Sequence, residues 1–457
     1  MNSISGSIYS VLSALNTYSA AIDVTSTNIA NANSAGYSRQ TAVISEKLAG
    51  DGSGYGVDVS TIKRAYDSFL TAQLRKANQD LGKSNVEVET FTAIEQAFTD
   101  SGHTGLSTAM SDFWNAWQSV VNDPCSSTAR SVLASASDTL ADAFNSVSSE
   151  LLGISEKIDD GIDETVGKIN DLVQQISDTN QKIVVMEADG LNANSARDTL
   201  DSLVQGLYSL VDINVSKNDA GQINIQLANG KPLVSGTTTW TLATEKNTTT
   251  DLMDVTWVDS DGNSTVVNES ISSGELGGYL EVREELASYQ DQLDELAANI
   301  MVEVNKQHVK GNDLYGAAGE AFFSGSGAGD MKFNAAIMAD PGKIAAASTG
   351  GGAGDSSNAE AIAELQTGFL MNGTSTFSDY YNAMVSKIGS AVQSADTNNE
   401  SLSNAQTFYT NQCLSVSSVS VDEEMAKLVL YQNAYDAAAK LMNVFDEMMQ
   451  TLIATMD

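Results

Sequence analysis

Apolar residues recur at alternating steps of three and four near both ends of this chain. Ile4, Ile8, Val11, Leu15, Tyr18 and Ile22 form one line, and Leu428, Tyr431, Tyr435, Ala438, Met442, Phe445, Met449, Leu452 and Met456 form another. That spacing puts each set on one stripe of an α-helix, the kind of seam a coiled coil buries. The two terminal helices are therefore expected to pair. The polar face of the first is unusual, because before Arg39 its only charged side chain is Asp23 and the remainder is Ser, Thr, Asn and Ala. Solvated helices normally carry Lys and Glu there, so a charge-poor face points to a helix packed on several sides, as in a polymer. An ordinary helical hairpin inside one domain fits the heptads equally well.

Asn33 to Gly36 supply small and turn-forming residues where the first helix should end. Short extended pieces are expected around Gln40–Ile44 and Gly56–Ile62, followed by helices to about residue 212. Stripes such as Phe91, Ile94 and Phe98, then Leu133, Ala136, Leu140, Ala143 and Val147, then Ile169, Leu172, Ile176 and Ile183 belong to long bundle helices. From Val211 the period changes to two: Ile223, Ile225 and Leu227 alternate with polar residues, and Asn229-Gly230 is a hairpin turn. Helical spacing returns with Leu286, Tyr289, Leu293, Leu296 and Ile300. Residues 311–372 are rich in Gly, Ser and Ala and read as irregular connections, with Gly350 to Gly354 a flexible linker. One heptad frame then runs from Tyr381 through Met384, Ile388, Ala391, Ala395, Asn398, Leu402, Ala405, Tyr409 and Gln412 to Val416. It breaks at Ser420-Val421-Asp422-Glu423, a capping box that starts a new helix.

The expected fold is mainly α, an elongated multi-domain subunit with paired terminal helices, a long-helix bundle and a small inserted β domain. Residues 1–36 with 420–457 form the terminal helical assembly domain. Residues 37–212 with 276–310 and 373–419 form the bundle, 213–275 the β insert, and 311–372 the irregular connection.

Net charge is −36, from 59 acidic and 23 basic residues. That argues against nucleic acid or an anionic membrane surface as partner. Two cysteines, Cys125 and Cys413, do not make a disulfide framework and are expected as free thiols. The first twenty residues lack the basic n-region of a secretory signal, and no stretch is apolar enough to span a membrane. The two histidines, His103 and His308, stand far apart without a metal or nucleophile pattern, so no catalytic residue, metal site or cofactor is expected. Asp259-Ser260-Asp261-Gly262-Asn263 has its glycine two positions early for a calcium loop and reads as a hairpin turn.

The segment Asn28 to Gln40, with Asn31, Gly36 and Tyr37, resembles the N-terminal motif of bacterial flagellar rod, hook and hook-associated proteins. Val421-Asp422-Glu423-Glu424-Met425 through Tyr431-Gln432-Asn433-Ala434-Tyr435-Asp436-Ala437 resembles their C-terminal partner. Within that superfamily the chain is most similar to hook-associated proteins of the hook-filament junction type. Internal blocks carry this: Phe113-Trp114 with Asn122-Asp123-Pro124 and Thr128-Ala129-Arg130; Arg197-Asp198 before Leu207 to Val211; Leu276-Gly277-Gly278-Tyr279-Leu280-Glu281-Val282-Arg283; and Asn305-Lys306-Gln307-His308 with Gly311-Asn312-Asp313-Leu314. Ser34-Ala35 departs from the Thr-Pro usual before Gly36-Tyr37, Ser420 stands where Asn is usual, and the β region is short.

The resemblance implies a non-enzymatic, extracellular structural subunit that joins hook to filament. Its implied partners are copies of itself in a ring or helical layer, the hook protein, the next junction protein, the flagellar type III export apparatus and an export chaperone. It would leave the cell unfolded, without a cleaved Sec signal. The assembly surface would be Ile4, Ile8, Val11, Leu15, Tyr18, Ile22, Asn28, Asn31, Gly36, Tyr37, Leu428, Tyr431, Tyr435, Met442, Phe445, Met449 and Leu452. A hook or distal-rod subunit is the alternative. Burial of each large apolar residue stabilises by about 1.5–3 kcal/mol, offset in a lone chain by the ordering of two long segments. The terminal segments are thus expected to be mobile in the free subunit and ordered in the assembly.

Overall fold

The computed structural model describes residues 2–48, 54–99, 105–218, 221–250 and 252–455. Helix α1 (Asn2–Ala30) leads through a turn into the antiparallel hairpin β1 (Gln40–Leu48) and β2 (Gly54–Arg64). Helices α2 (Ser68–Phe98), α3 (Leu106–Asn122), α4 (Ser127–Ala188) and α5 (Asn194–Leu210) follow. Side-chain caps start two of them: at α2, Asp67 Oδ1 accepts from the amides of Phe69 and Leu70, and at α4, Ser126 Oγ accepts from that of Ala129. Helix α4 has 62 residues, so it extends about 93 Å at 1.5 Å per residue. Its buried stripe from Leu133 to Ile183 serves the bundle at one end and the sheets at the other.

Two small antiparallel sheets come next. The first has the order β3 (Ile213–Lys217), β4 (Ile223–Leu227), β5 (Pro232–Ser235) and β6 (Thr238–Thr239). The second contains β7 (Thr241–Lys246), β8 (Met253–Val258) and β9 (Ser264–Val266). Both sheets are pinned to α4 by side-chain amides that satisfy strand backbone. Asn180 donates to the carbonyls of Ile223 and Gly236 and accepts from the Ile223 amide, and Asn170 exchanges both bonds with Leu242. The hairpin turn expected at Asn229-Gly230 joins β4 to β5. The turn between β8 and β9 is built on Asp259, whose carboxylate accepts from the amides of Asp261 and Asn263.

Helix α6 (Gly274–His308) returns along the bundle and buries Leu286, Tyr289, Leu293, Leu296 and Ile300, the residues its periodicity selects. The stretch 311–372 contains β10 (Phe323–Ser324), β11 (Lys332–Phe333), α7 (Ala335–Ala339) and α8 (Ser357–Ala363). Its backbone is irregular as expected, but it packs tightly over the bundle. Phe322 and Phe323 enter an aromatic group with Phe113 and Trp117 of α3, and Ile344, Ala345 and Ala346 are fully buried. Arg130, 2% exposed, donates Nε to the Pro124 carbonyl at 2.7 Å and Nη1 to that of Ile344 at 2.7 Å. His308 bonds the Glu320 carbonyl through Nδ1 at 2.6 Å and accepts the Ala345 amide on Nε2 at 2.9 Å. Two buried side chains thus provide the hydrogen bonds that a helix or sheet would otherwise supply. His103 lies outside the described residues.

Helix α9 (Phe377–Ser417) runs back beside α2 with Tyr381, Met384, Ile388 and Ala395 buried, while Asn398 and Gln412 of the expected frame face out. After Ser418–Ser420 the last helix, α10 (Val421–Ala454), turns onto α1. The expected extended pieces are longer than their sequence signals, and instead of joining the bundle they pack on α1. Thr17 Oγ1 donates to the Val57 carbonyl, Ser13 Oγ accepts the Val57 amide, and Tyr9 stacks on Tyr55. Gly56 lies against Ser13 at φ +129°, where a Cβ would collide with its hydroxyl. The charge-poor face of α1 therefore has a partner within its own chain.

Burial pushes the His308 imidazole down from 6.5 to about 4, opposed by the Glu320 carbonyl and reinforced by Arg130. Because the folded state resists the proton that the unfolded state accepts, His308 contributes full stability above about pH 6.5. That contribution declines as pH falls toward 4, by up to about 3 kcal/mol. Denaturant unfolding of His308→Gln should show a shallower loss between pH 7 and 4.5 than the parent chain; equal slopes would remove His308 as the cause.

Candidate assembly interface

Asn28, Asn31, Gly36 and Tyr37 come together with the start of α10 where α1, its following turn and α10 meet. Asn28, fully buried, is the centre. Its Nδ2 donates to the Gln40 carbonyl at 2.7 Å and to Glu424 Oε2 at 2.8 Å. Its Oδ1 accepts from the Tyr37 hydroxyl at 2.8 Å and the Gln40 amide at 2.9 Å. All four hydrogen-bonding positions of the carboxamide are filled. Glu424 is 1% exposed and also meets Lys427 Nζ at 2.7 Å. Burial raises the Tyr37 phenol, with the charges of Asp198 and Glu424 adding to the effect and a Gln40 bond opposing it, so the hydroxyl remains a donor.

The turn itself is tied by side chains. Asn31 Nδ2 donates to the Thr27 carbonyl, Ser34 Oγ donates to Asn31 Oδ1, and Gly36 adopts φ +74°, the left-handed conformation that ends the turn. Ser420 accepts the Glu423 amide as expected of a cap, at 3.5 Å. The reciprocal half of the capping box is replaced: the Glu423 carboxylate lies 3.4 Å from Arg39 Nη1, which draws the start of α10 to the turn.

Asn28 opposite Glu424 and Tyr18 beside Tyr431, with ring centroids 6.5 Å apart, set an antiparallel register. By that register Val11 falls level with Ala438, and both are buried. Ile8, Leu15, Tyr18 and Ile22 are half-buried, as are Leu428, Tyr431, Met442 and Phe445. Tyr435, Met449 and Leu452 are 38%, 36% and 38% exposed. By the same register the last two fall past Asn2, the first residue of α1. The side chain of Ile4 and Met456 lie outside the described residues. Among the described residues, the buried apolar side chains of α1, the hairpin and α10 are Val11, Ala21, Ala42 and Ala438, and the large contiguous core includes none of them.

Glu424 and Thr17 belong to this site and were not singled out from sequence. A signal existed for Glu424: it stands four residues before Leu428, inside the apolar frame of α10, where a carboxylate is out of place unless paired.

Family models match the middle of the chain and its two ends separately. The model of the flagellar hook-associated protein FlgK helical domain matches residues 91–323, just over half of the chain. The chain belongs to the FlgK family of flagellar hook-associated proteins. It is a structural component of the flagellum and not an enzyme. A flagella basal body rod model matches residues 8–37, and the C-terminal model of the flagellar basal body rod FlgEFG proteins matches 410–455, the two helices of this site. FlgK relatives align along nearly their full length. Flagellar hook-associated protein 1 of Bacillus subtilis strain 168 is 29% identical, with 96% of each chain covered. That of Escherichia coli K12 is 28% identical, covering 98% of this chain and all of its own. The solved flagellar hook junction protein FlgK of Burkholderia pseudomallei shares the fold, with a TM-score of 0.68 at 16% identity over 75% of this chain and 100% of its own. Among the described residues no helix is long and apolar enough to cross a membrane.

Replacing Asn28 with Ala removes four hydrogen bonds and leaves a buried carboxylate, a phenol and two backbone groups short of partners. The cost should be about 3 kcal/mol or more, confined to the α1–α10 pairing. Limited proteolysis within 418–420 should accelerate while thermal unfolding of the bundle is unchanged; a matching fall in bundle stability would contradict this localisation.

Proposed function

We propose that this chain joins the hook to the filament as an adapter at the distal end of the hook, and that α1 and α10 build it into the junction. The observation that carries the reading is the mismatch within the terminal pair, which has stripes of large apolar residues but almost no apolar core. Besides its half-covered seam, α10 presents a second line of Leu430, Ala437, Leu441, Val444 and Met448, with its four large members 48–64% exposed. A continuous apolar line of this kind on a structural protein is a surface for other chains. Its partners in this reading are further copies in a ring or helical layer, the hook protein and the next hook-associated protein. The sites are the terminal stripes together with the Asn28, Asn31, Gly36 and Tyr37 turn that orients them.

Two further parts of the reading concern delivery and organisation. The chain leaves the cell unfolded through the flagellar type III apparatus, escorted by an export chaperone and without a cleaved Sec signal. Its working division is a terminal unit of α1, β1–β2 and α10, a bundle of α2–α6 and α9 with the 311–372 layer, and the β3–β9 insert. The tight packing of β1–β2 on α1 supports placing the hairpin in the terminal unit. The relatives' names, and the solved relative described as a hook junction protein, support the position in the flagellum.

Leu15→Asp and Leu452→Asp should leave the bundle folded yet abolish incorporation into flagella, and normal motility of both would reject these stripes as assembly surfaces. Cells lacking the chain should bear hooks without filaments and shed flagellin; absence of the hook itself would favour a hook or rod subunit. In the dilute free chain, amide exchange should be slowest near Asn28 and Glu424 and fastest toward the ends of α1 and α10. Uniform strong protection would show that the pair is complete without neighbours.

A further inference from the structure

The terminal unit joins the rest of the chain through two short non-helical segments, 65–67 and 418–420. The large contiguous core does not cross this boundary, since it contains no residue of α1, β1, β2 or α10. Polar groups tie the two sides instead, and most of them converge on the first half of α5. Arg64, at the end of β2, reaches Asp198 Oδ1 through Nη1 at 2.6 Å and Asp201 Oδ2 through Nη2 at 3.0 Å. Arg75 of α2 holds the other oxygen of Asp201 at 3.1 Å, and the Ser38 amide donates to Asp198 Oδ2 at 3.2 Å. Asn194 adds bonds to the Ile62 carbonyl and to Gln40 Oε1.

The surroundings of this bracket are loosely filled. A cavity of about 270 Å³ lies on one side, lined by Tyr66, Asp67, Asp198, Asp201 and Cys413, and one of about 300 Å³ on the other, lined by Asn31, Tyr37, Asp198 and Thr199. Arg75 Nε, on the side chain that holds Asp201, is buried without a hydrogen-bond partner. Close-packed apolar interfaces resist rotation through interdigitation; this one has little to interdigitate. Its resistance comes from a forked guanidinium with two largely buried carboxylates, which tolerates one geometry and no intermediate ones.

We propose that Arg64, Asp198 and Asp201 form a latch that sets the angle between the terminal unit and the bundle, with segments 65–67 and 418–420 as the hinge. Latched, the chain has one orientation. With the fork broken, the two cavities leave room for the terminal unit to swing while the Asn28 clamp holds it together. The device is intrinsic to one chain and independent of the junction role proposed above.

The test uses the full chain with Cys125 and Cys413 replaced by Ser and spin labels at two exposed positions, Gln432 on α10 and Asn404 on α9. Pulsed dipolar spectroscopy of the otherwise unaltered chain should give one narrow distance. Arg64→Ala and the Asp198→Asn, Asp201→Asn pair should broaden or shift it with unchanged bundle melting. Arg64→Lys, which keeps the charge and loses the fork, should broaden it partly, and Arg75→Ala, which leaves the Arg64 fork to Asp198 and Asp201 in place, least. A narrow, unshifted distance in Arg64→Ala overturns the latch, as does a broad distribution in the unaltered chain. If Arg64→Ala does not fold, Arg64→Lys and Arg75→Ala decide by the same criteria.

Discussion

A buried carboxamide with every donor and acceptor engaged holds three distant stretches of this chain at one point. Asn28 closes the end of α1, receives the first residue of β1 through the Gln40 backbone, and takes the first turn of α10 through Glu424. An apolar side chain could fill the same volume but could not discriminate among these partners, since hydrophobic contact is non-directional. The hydrogen-bonded amide tolerates one register of α1 against α10, and a shift by a residue would strand a carboxylate in a dry site. The direction of both terminal helices, and hence the line of every apolar residue they present, follows from that one side chain.

The two halves of the molecule are stabilised by different physics. The bundle and β insert share a continuous apolar core that runs from Ile94 to Ile388, with half-buried Asn170 and buried Asn180, Arg130 and His308 supplying hydrogen bonds where strands or loops meet helices. Among the described residues, the terminal unit buries Thr17, Thr25, Asn28 and Glu424 alongside only small apolar residues, Val11, Ala21, Ala42 and Ala438, and leaves its larger apolar residues half-covered or open. A unit of that composition is well defined in geometry and weak in net stability, because hydrogen bonds contribute orientation while the uncovered apolar area contributes nothing until a neighbour removes it from water. This inversion makes the structure intelligible as a component of something larger.

Legibility in the sequence tracked the range of the interaction. The α6 stripe, the Asn229-Gly230 and Asp259 turns, the Ser420 cap of α10 and the described residues of the two terminal heptads depend on residues within a few positions of one another, and all are found. The irregular backbone of 311–372 was legible from its Gly, Ser and Ala, but its burial was not. That burial depends on Arg130 and His308, 214 and 37 residues from carbonyl and amide partners in that layer. The docking of the hairpin on α1 was likewise invisible: Ser13 and Thr17 signal only that a face is small and uncharged, and nothing local says that Val57 will cover it.

By itself the amino-acid sequence determined the helical periods, the change to strands near residue 213, the turn after α1 and the family, because each rests on short-range chemistry or on motifs kept at both ends. The tertiary structure alone decided which stripes are closed and which stay open. It showed that α1 is covered on one side by its own hairpin and that α10 carries a second, uncovered apolar line. It also showed that Glu424, placed in an apolar frame, is there to meet Asn28 across 396 residues of chain. Periodicity specifies that a face must be buried, but only packing in three dimensions specifies against what.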